Sequence, residues 1–222
     1  MKTKKKLRIK NFIIFLLVLL LLGFIIGFFL LRPVKNILIM SNNVLTDEEI
    51  IKVTELDNYP PFIMVNKLRF KKHPLIRNIK IKRKFYNKII LDVNEVKVLF
   101  YDNLNKKYVL DNSEELDINK ALIRPLIINH IPDNNKKRLV NSFKEYDESL
   151  LNTISEIKYA PTEFDKDRFL FTMSDGNYVY INNANMDNIV YYEKIVKVLQ
   201  GKKGLLYLDN GANEGSQFKI LE

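Results

Sequence analysis

The sequence predicts an α+β protein carried on one transmembrane helix, and three observations lead there. An uninterrupted apolar run lies near the N-terminus, a strand-helix-helix-strand-strand order fills the next sixty-odd residues, and short β-rich runs dominate the rest. The apolar run is Phe12 to Leu31, FIIFLLVLLLLGFIIGFFLL, twenty residues with no charged or polar side chain. As a helix rising 1.5 Å per residue it covers about 30 Å, the thickness of a bilayer's hydrocarbon core. Its Leu, Ile, Phe and Val residues together favour insertion by about −5 to −11 kcal/mol.

Charge sets the expected orientation. Lys2, Lys4, Lys5, Lys6, Arg8 and Lys10 precede the run, whereas only Arg32 and Lys35 follow it closely. Positive residues in short flanks stay cytoplasmic, so Lys4, Lys5, Lys6 and Arg8 act as topology determinants and the C-terminus is expected outside. A cleaved signal peptide would have a shorter apolar region ending in a small-x-small site, and Phe28-Phe29-Leu30-Leu31-Arg32-Pro33 contains none. The basic tail also supplies more than half of the formal net charge of +10. The high pI is therefore largely a topology signal, and nucleic acid is not an expected partner. With no cysteine in the chain, disulfides, thiol nucleophiles and thiolate metal sites are excluded.

After Pro33, Val34 to Met40 alternates as a short strand with Ile37 and Ile39 on one face, and Ser41-Asn42-Asn43 ends it. Thr46-Asp47-Glu48-Glu49 has capping-box spacing and opens a helix whose inward stripe is Ile50, Val53 and Leu56. Tyr59-Pro60-Pro61 breaks that helix. A second is expected over Ile63 to Lys72, with Ile63, Leu68 and Val65 inward, stopped by His73-Pro74. Strands follow at Ile76–Arg83 and Lys88–Glu95, joined by a turn at Phe85-Tyr86-Asn87. The expected result is a three-stranded sheet with two helices on one face.

In the second half, runs at 98–101, 107–110, 126–128, 154–159, 168–173 and 178–181 read as strands, with Ser174-Asp175-Gly176-Asn177 as a tight hairpin. Helices are expected over Asn134–Leu150 and Asn188–Leu199, and terminal strands near 205–209 and 218–221. The whole is a mixed β-sheet domain with two helices.

The order and spacing of these pieces resemble the bacterial cell division FtsQ/DivIB family and its POTRA domain. The resemblance is carried by Ile37, Ile39, Leu45-Thr46, Glu49-Ile50, Leu68, His73-Pro74, Ile76, Val93 and Glu95 in the first module. It continues through Tyr108-Val109-Leu110-Asp111, Ser113, Leu116, Leu126-Ile127-Ile128, the Tyr192–Leu199 helix and Leu205–Asp209. Tyr86 stands where the family usually has a proline. The resemblance implies a cytoplasmic tail over 1–11, a transmembrane helix over 12–31, a POTRA domain over 32–98 and an extracytoplasmic β domain over 99–222. It also implies a scaffold of the division complex at the septum. Expected partners are the bilayer, single-pass division proteins of the FtsL and FtsB/DivIC type, and septal wall synthases.

No arrangement of residues points to catalysis. His73 and His130 lack a partner at ligand spacing, no Gly-x-Ser-x-Gly or phosphate loop occurs, and the carboxylates stand singly in turns and caps. Neither metal nor cofactor is expected. Two surfaces remain as candidates. Between Asp57 and Asp92 there is no carboxylate, while Lys67, Lys71, Lys72, Arg77, Lys80, Lys82, Arg83 and Lys84 accumulate. Such a field suits an anionic membrane face, an anionic wall polymer or an acidic partner, and suits equally a solvated face with protective edge lysines. A membrane-tethered binder of anionic wall polymer is thus the alternative function. The second surface is the terminal strand pair and its Gly-rich turn: Tyr207, Asn210, Gly211, Ala212, Gly215, Gln217, Phe218 and Ile220. Tyr207 and Phe218 are expected to be exposed there, on an edge where an extended partner segment adds as a strand. The resemblance implies that partner binding maps to it.

Overall fold

The computed structural model describes residues 2–67, 70, 72–84, 88–209 and 217–221, with the side chains of 2–8, 66 and 67 set aside. The chain divides into two compact units, Met1–Glu95 and Val96–Glu222.

The first unit begins with α1 (Lys2–Leu30), whose span Ile9–Leu30 has a mean hydropathy of 3.3 and is long and apolar enough to cross a membrane. Its apolar side chains are exposed from Ile9 to Phe29, as a helix needs if its surroundings are lipid. β1 (Asn36–Met40), β2 (Ile76–Lys84) and β3 (Lys88–Glu95) form a sheet of order β1-β3-β2, with β1 parallel and β2 antiparallel to β3. Alternation along β3 buries Ile89, Leu91 and Val93.

α2 (Asp47–Val53) starts at the capping box that the sequence announces. The Glu49 N–H donates to Thr46 Oγ1 and the Thr46 N–H to Glu49 Oε2, at 3.3 and 2.7 Å. Ile50 and Leu56 are buried as expected.

The second expected helix is not α-helical. Phe62–Lys67 is a short 3-10 turn, and its inward residue is Val65, whereas Ile63 is 40% exposed. The reason lies in the preceding prolines. Pro60-Pro61 runs beside the exit of α1, where an isolated Pro33–Pro61 bridge forms, the Phe62 N–H donates to the Arg32 carbonyl and the Val34 N–H to that of Pro60. Those backbone bonds fix the chain in an extended path until Met64 closes a turn onto Pro61. Leu68, Lys71 and the turn at 85–87 lie outside the described residues.

The second unit is a mixed nine-stranded sheet in the order β12-β11-β10-β9-β8-β7-β4-β5-β6. Its strands are β4 (Val98–Asp102), β5 (Lys107–Leu110), β6 (Glu115–Leu116), β7 (Leu126–Ile127), β8 (Ile154–Tyr159), β9 (Arg168–Met173), β10 (Tyr178–Asn182), β11 (Gly204–Tyr207) and β12 (Gln217–Ile220). Val98, which the sequence reading gives to the first module, opens β4 of this sheet.

The single helix expected over Asn134–Leu150 is two, α3 (Asp133–Phe143) and α4 (Glu148–Thr153). Asp147 divides them by accepting from the Leu150 N–H at 2.8 Å, an N-cap that starts a new helix instead of continuing the old one. The helix expected over Asn188–Leu199 is a 3-10 turn, Met186–Tyr191, running into α5 (Tyr192–Val198).

One hydrophobic cluster holds this unit together. Phe143 of α3 meets Phe100 and Phe171 edge-on, both at 5.8 Å between centroids, among buried Leu139, Ile157, Phe169, Val179, Ile181 and Leu206. Lys136 of α3 bonds Asp102 and Glu115, each at 2.7 Å, tying the helix to β4 and β6. Burial alone would raise the Asp102 carboxyl, but the Lys136 and backbone hydrogen bonds outweigh it and hold it below the usual range.

Candidate partner-binding edge

β12 stands last in the larger sheet, and among the described residues no strand pairs with its outer side. The Leu221 N–H donates to the Lys203 carbonyl at 3.1 Å. Alternation along an antiparallel ladder then directs the N–H and C=O groups of Phe218 and Ile220 away from β11. Ile220 and Leu221 are about half exposed. β12 is therefore a short edge with outward-facing main-chain groups and apolar side chains.

What positions this edge lies one and two strands inward. Gly204 pairs with Ile220, and a Cβ there would stand 2.3 Å from the Lys219 carbonyl oxygen and 2.6 Å from the Phe218 ring. Only glycine allows β12 so close. The Gly204 N–H donates to Asn177 Oδ1 at 2.9 Å, and the buried Asn177 donates in turn to Asp175 and to the Tyr192 hydroxyl. Tyr192 lies 2.8 and 2.9 Å from the two Asp175 oxygens, so one network joins the β9–β10 hairpin, α5 and the start of β11. Partial burial raises the Asp175 carboxyl, but hydrogen bonds from the Asn177 backbone, Tyr192 and the Asn177 side chain prevail and lower it. Burial first, and then its bond to Asp175, raise the Tyr192 phenol.

The other end of β11 is held by a cation and two rings. Arg168 lies 3.6 Å from the centre of the Tyr180 ring, which stacks on Tyr207 at 5.5 Å, and its Nε donates to Asp209 Oδ2 at 2.6 Å. Asn182 and Asn185 both donate to the Asp209 carbonyl.

Tyr207 and Phe218 are thus not exposed side chains, as the sequence reading has them. Both are half-buried, Tyr207 by the ring beside it and Phe218 because it packs across Gly204 onto the core. Gln217 and Ile220 are exposed, and Asn210, Gly211, Ala212 and Gly215 lie outside the described residues. Sequence reasoning misses Gly204, Asn177, Arg168 and Asp209. The first two are 27 residues apart, and no local pattern reports such a bond.

Of the basic field, Lys72, Arg77, Lys80, Lys82, Arg83 and Lys84 are exposed, while the side chains of Lys67 and Lys71 are outside the described set. Lys80 pairs across the ladder with Asp92. Among the described residues, no group of three or more His, Cys, Asp or Glu side chains is placed to hold a metal ion.

Residues 32–95 match the family model "POTRA domain, FtsQ-type". Over 88% of its length the chain is 31% identical to the Cell division protein DivIB of Brevibacillus brevis, covering 80% of that protein. The chain belongs to the DivIB family. The DivIB of Bacillus anthracis is 27% identical across 95% of this chain and 84% of its own. A solved structure of the major extracytoplasmic domain of the trans isomer of DivIB from Geobacillus stearothermophilus aligns with 48% of this chain and 96% of that domain, at 22% identity and a TM-score of 0.40. DivIB membership makes this a cell division protein, with an N-terminal helix suited to single-pass anchoring.

Proposed function

We propose that the protein is a non-enzymatic scaffold of the division complex, anchored with its N-terminus inside and its two units outside the membrane. Its β12 edge receives an extended segment of an FtsL- or FtsB/DivIC-type partner, and through that contact it helps control septal wall synthesis. The observation that carries this reading is the edge itself. Main-chain groups of Phe218 and Ile220 face outward beside exposed apolar side chains, on a strand seated by the Gly204–Phe218 contact. Strand addition draws affinity from such main-chain groups and selectivity from the side chains around them.

The test is co-purification of the full chain with each partner type, beside Ile220→Pro. Proline removes an outward N–H while leaving the Lys219 and Leu221 positions of the ladder untouched. Loss of the complex with an unchanged melting profile supports the edge; retention refutes it. The basic surface supports the alternative, a tethered binder of anionic wall polymer. Binding of that kind collapses as salt rises, whereas strand addition does not.

A further inference from the structure

Backbone bonds place part of the first unit at the depth where α1 ends. Leu31 closes the helix onto the Gly27 carbonyl at 2.9 Å. The next residues are bonded at once to 60–62: Phe62 N–H to the Arg32 carbonyl at 2.9 Å, Val34 N–H to the Pro60 carbonyl at 3.1 Å, with the Pro33–Pro61 bridge between them. Residues 60–62 therefore lie within one strand spacing, about 5 Å, of the helix exit. The segment around them is apolar and open: Tyr59 is 60% exposed, Ile63 40% and Met64 51%, while Val65 turns into the unit. Leu31, beside them, is 65% exposed.

Cations flank this patch, with one exposed carboxylate, Asp57, two residues before Tyr59. Arg32 lies over the Phe28 ring at 4.4 Å. Arg83, from the end of β2, donates to the Ile63 carbonyl at 3.1 Å and lies 5.4 Å from the Phe62 ring centre. Register brings Asn36, Lys88 and Lys84 side by side at that same end of the sheet, and Lys35, Lys84 and Lys88 are exposed.

The opposite end of the sheet gathers most of the unit's carboxylates, beside Arg77 and Lys80 of β2. Met40 pairs with Asp92, Glu95 accepts from the N–H groups of Asn43, Val44 and Leu45, and Asp47, Glu48 and Glu49 open α2 nearby. The four steps from Asn36 to Met40 span about 13 Å, more than a Debye length of about 8 Å, so the acidic end does not cancel the basic one.

We propose that Tyr59, Ile63 and Met64 bed into the outer leaflet at the boundary of headgroups and acyl chains, while Arg32, Lys35, Arg83, Lys84 and Lys88 bind anionic phospholipid headgroups around them. An aromatic ring and aliphatic side chains at the interface, rimmed by basic residues, are the chemistry of a membrane-surface contact. The occupant follows from continuity, since the patch is bonded to the end of a membrane-spanning helix. The first unit is thereby held on the lipid by its basic end and does not swing free on its tether. This inference rests on the reading of α1 as the anchor.

The chain has no cysteine, so single cysteines report single sites. Full-length protein carrying Met64→Cys, Met40→Cys or Leu20→Cys is labelled with an environment-sensitive fluorophore and reconstituted into vesicles of phosphatidylcholine and phosphatidylglycerol. Quenching is read from lipids bearing a nitroxide near the headgroup or deep in the acyl chain. The expected result is loss of most Met64→Cys emission to the shallow quencher and of Leu20→Cys emission to the deep one. Met40→Cys, an equally exposed apolar position at the acidic end, keeps its emission. Replacing phosphatidylglycerol with phosphatidylcholine, or combining Lys84→Glu with Lys88→Glu, restores Met64→Cys emission. Quenching of Leu20→Cys without Met64→Cys overturns the inference and leaves the anchor standing. Failure of Leu20→Cys to be quenched overturns both. Equal quenching of Met64→Cys in pure phosphatidylcholine overturns the role of anionic headgroups.

Discussion

The two sheets of this protein treat their edges in opposite ways. β2, at one edge of the three-stranded sheet, carries Arg77, Lys80, Lys82, Arg83 and Lys84 within nine residues. β12, at one edge of the nine-stranded sheet, reads Gln217-Phe218-Lys219-Ile220 and is followed by Leu221, with one charge among four strand residues. A strand edge lined with lysine resists pairing because an incoming strand must desolvate and crowd those charges. The same main-chain geometry without the charges is a template for it. Charge on the edge, more than the edge itself, therefore separates a protected strand from a receptive one, and this separation guides where partner binding is sought.

The comparison assumes that each sheet keeps its own fold. Phe171 is fully buried in the second unit and edge-on to Phe143, so Phe171→Ala removes a ring that its neighbours cannot replace, at a cost of about 3–5 kcal/mol. Hydrogen exchange should then show the nine-stranded sheet losing protection while Ile89, Leu91 and Val93 of β3 keep theirs. Equal loss in both sheets would break the comparison.

A smaller effect isolates the receptive edge. Gly204→Ala puts a methyl group against the Lys219 carbonyl and the Phe218 ring, and displacing β12 to make room costs about 1–3 kcal/mol. The proposed partner should be lost although the core cluster around Phe143 stays protected from exchange. Binding by Gly204→Ala at the normal level would mean that the seat of β12 is irrelevant to the edge.

The network behind that glycine titrates. Asp175 has a lowered folded value, so its contribution is fully present above the unfolded carboxylate value of about 3.9 and is lost as pH falls through the folded value. Asp175→Asn should therefore lower the denaturation midpoint below that of the parent at neutral pH, by less than Gly204→Ala does, and its gap from the parent should narrow as pH falls below about 3.9. A gap that stays constant into acid would show that the carboxylate is not what ties Tyr192 and Asn177 to β11.

These sites also mark how far the sequence could be read. The apolar span, the Thr46–Glu49 capping box, the alternation of Ile89, Leu91 and Val93, and the 174–177 hairpin were legible because each is written in residues a few positions apart. The division of one expected helix at Asp147, and the 3-10 turn after Pro60-Pro61, were not. In the first a side-chain cap, and in the second backbone bonds to residues 32–34, overrode a helical pattern. At the candidate edge, the terminal strand pair was legible from its composition, but its seating was not. The parallel pairing of β11 with β10, the Asn177–Gly204 bond and the packing of Phe218 across Gly204 all join residues far apart in the chain.

The smallest expected change in stability tests the comparison most directly. Lys82 is exposed on β2 and pairs across the ladder with Ile90, away from the buried side that Ile79 and Ile81 share with Leu91 and Val93. Lys82→Ile leaves the buried face alone, so the thermal midpoint should move by no more than the equivalent of about 0.5 kcal/mol. It also strips one charge from the protected edge and leaves a β-branched side chain in its place. If charge is what keeps that edge unpaired, the variant should self-associate in sedimentation at concentrations where the parent does not, and Lys82→Glu should not. If Lys82→Ile remains as monodisperse as the parent, the lysines of β2 are not what guards it, and the contrast with β12 must rest on strand length and neighbouring structure instead.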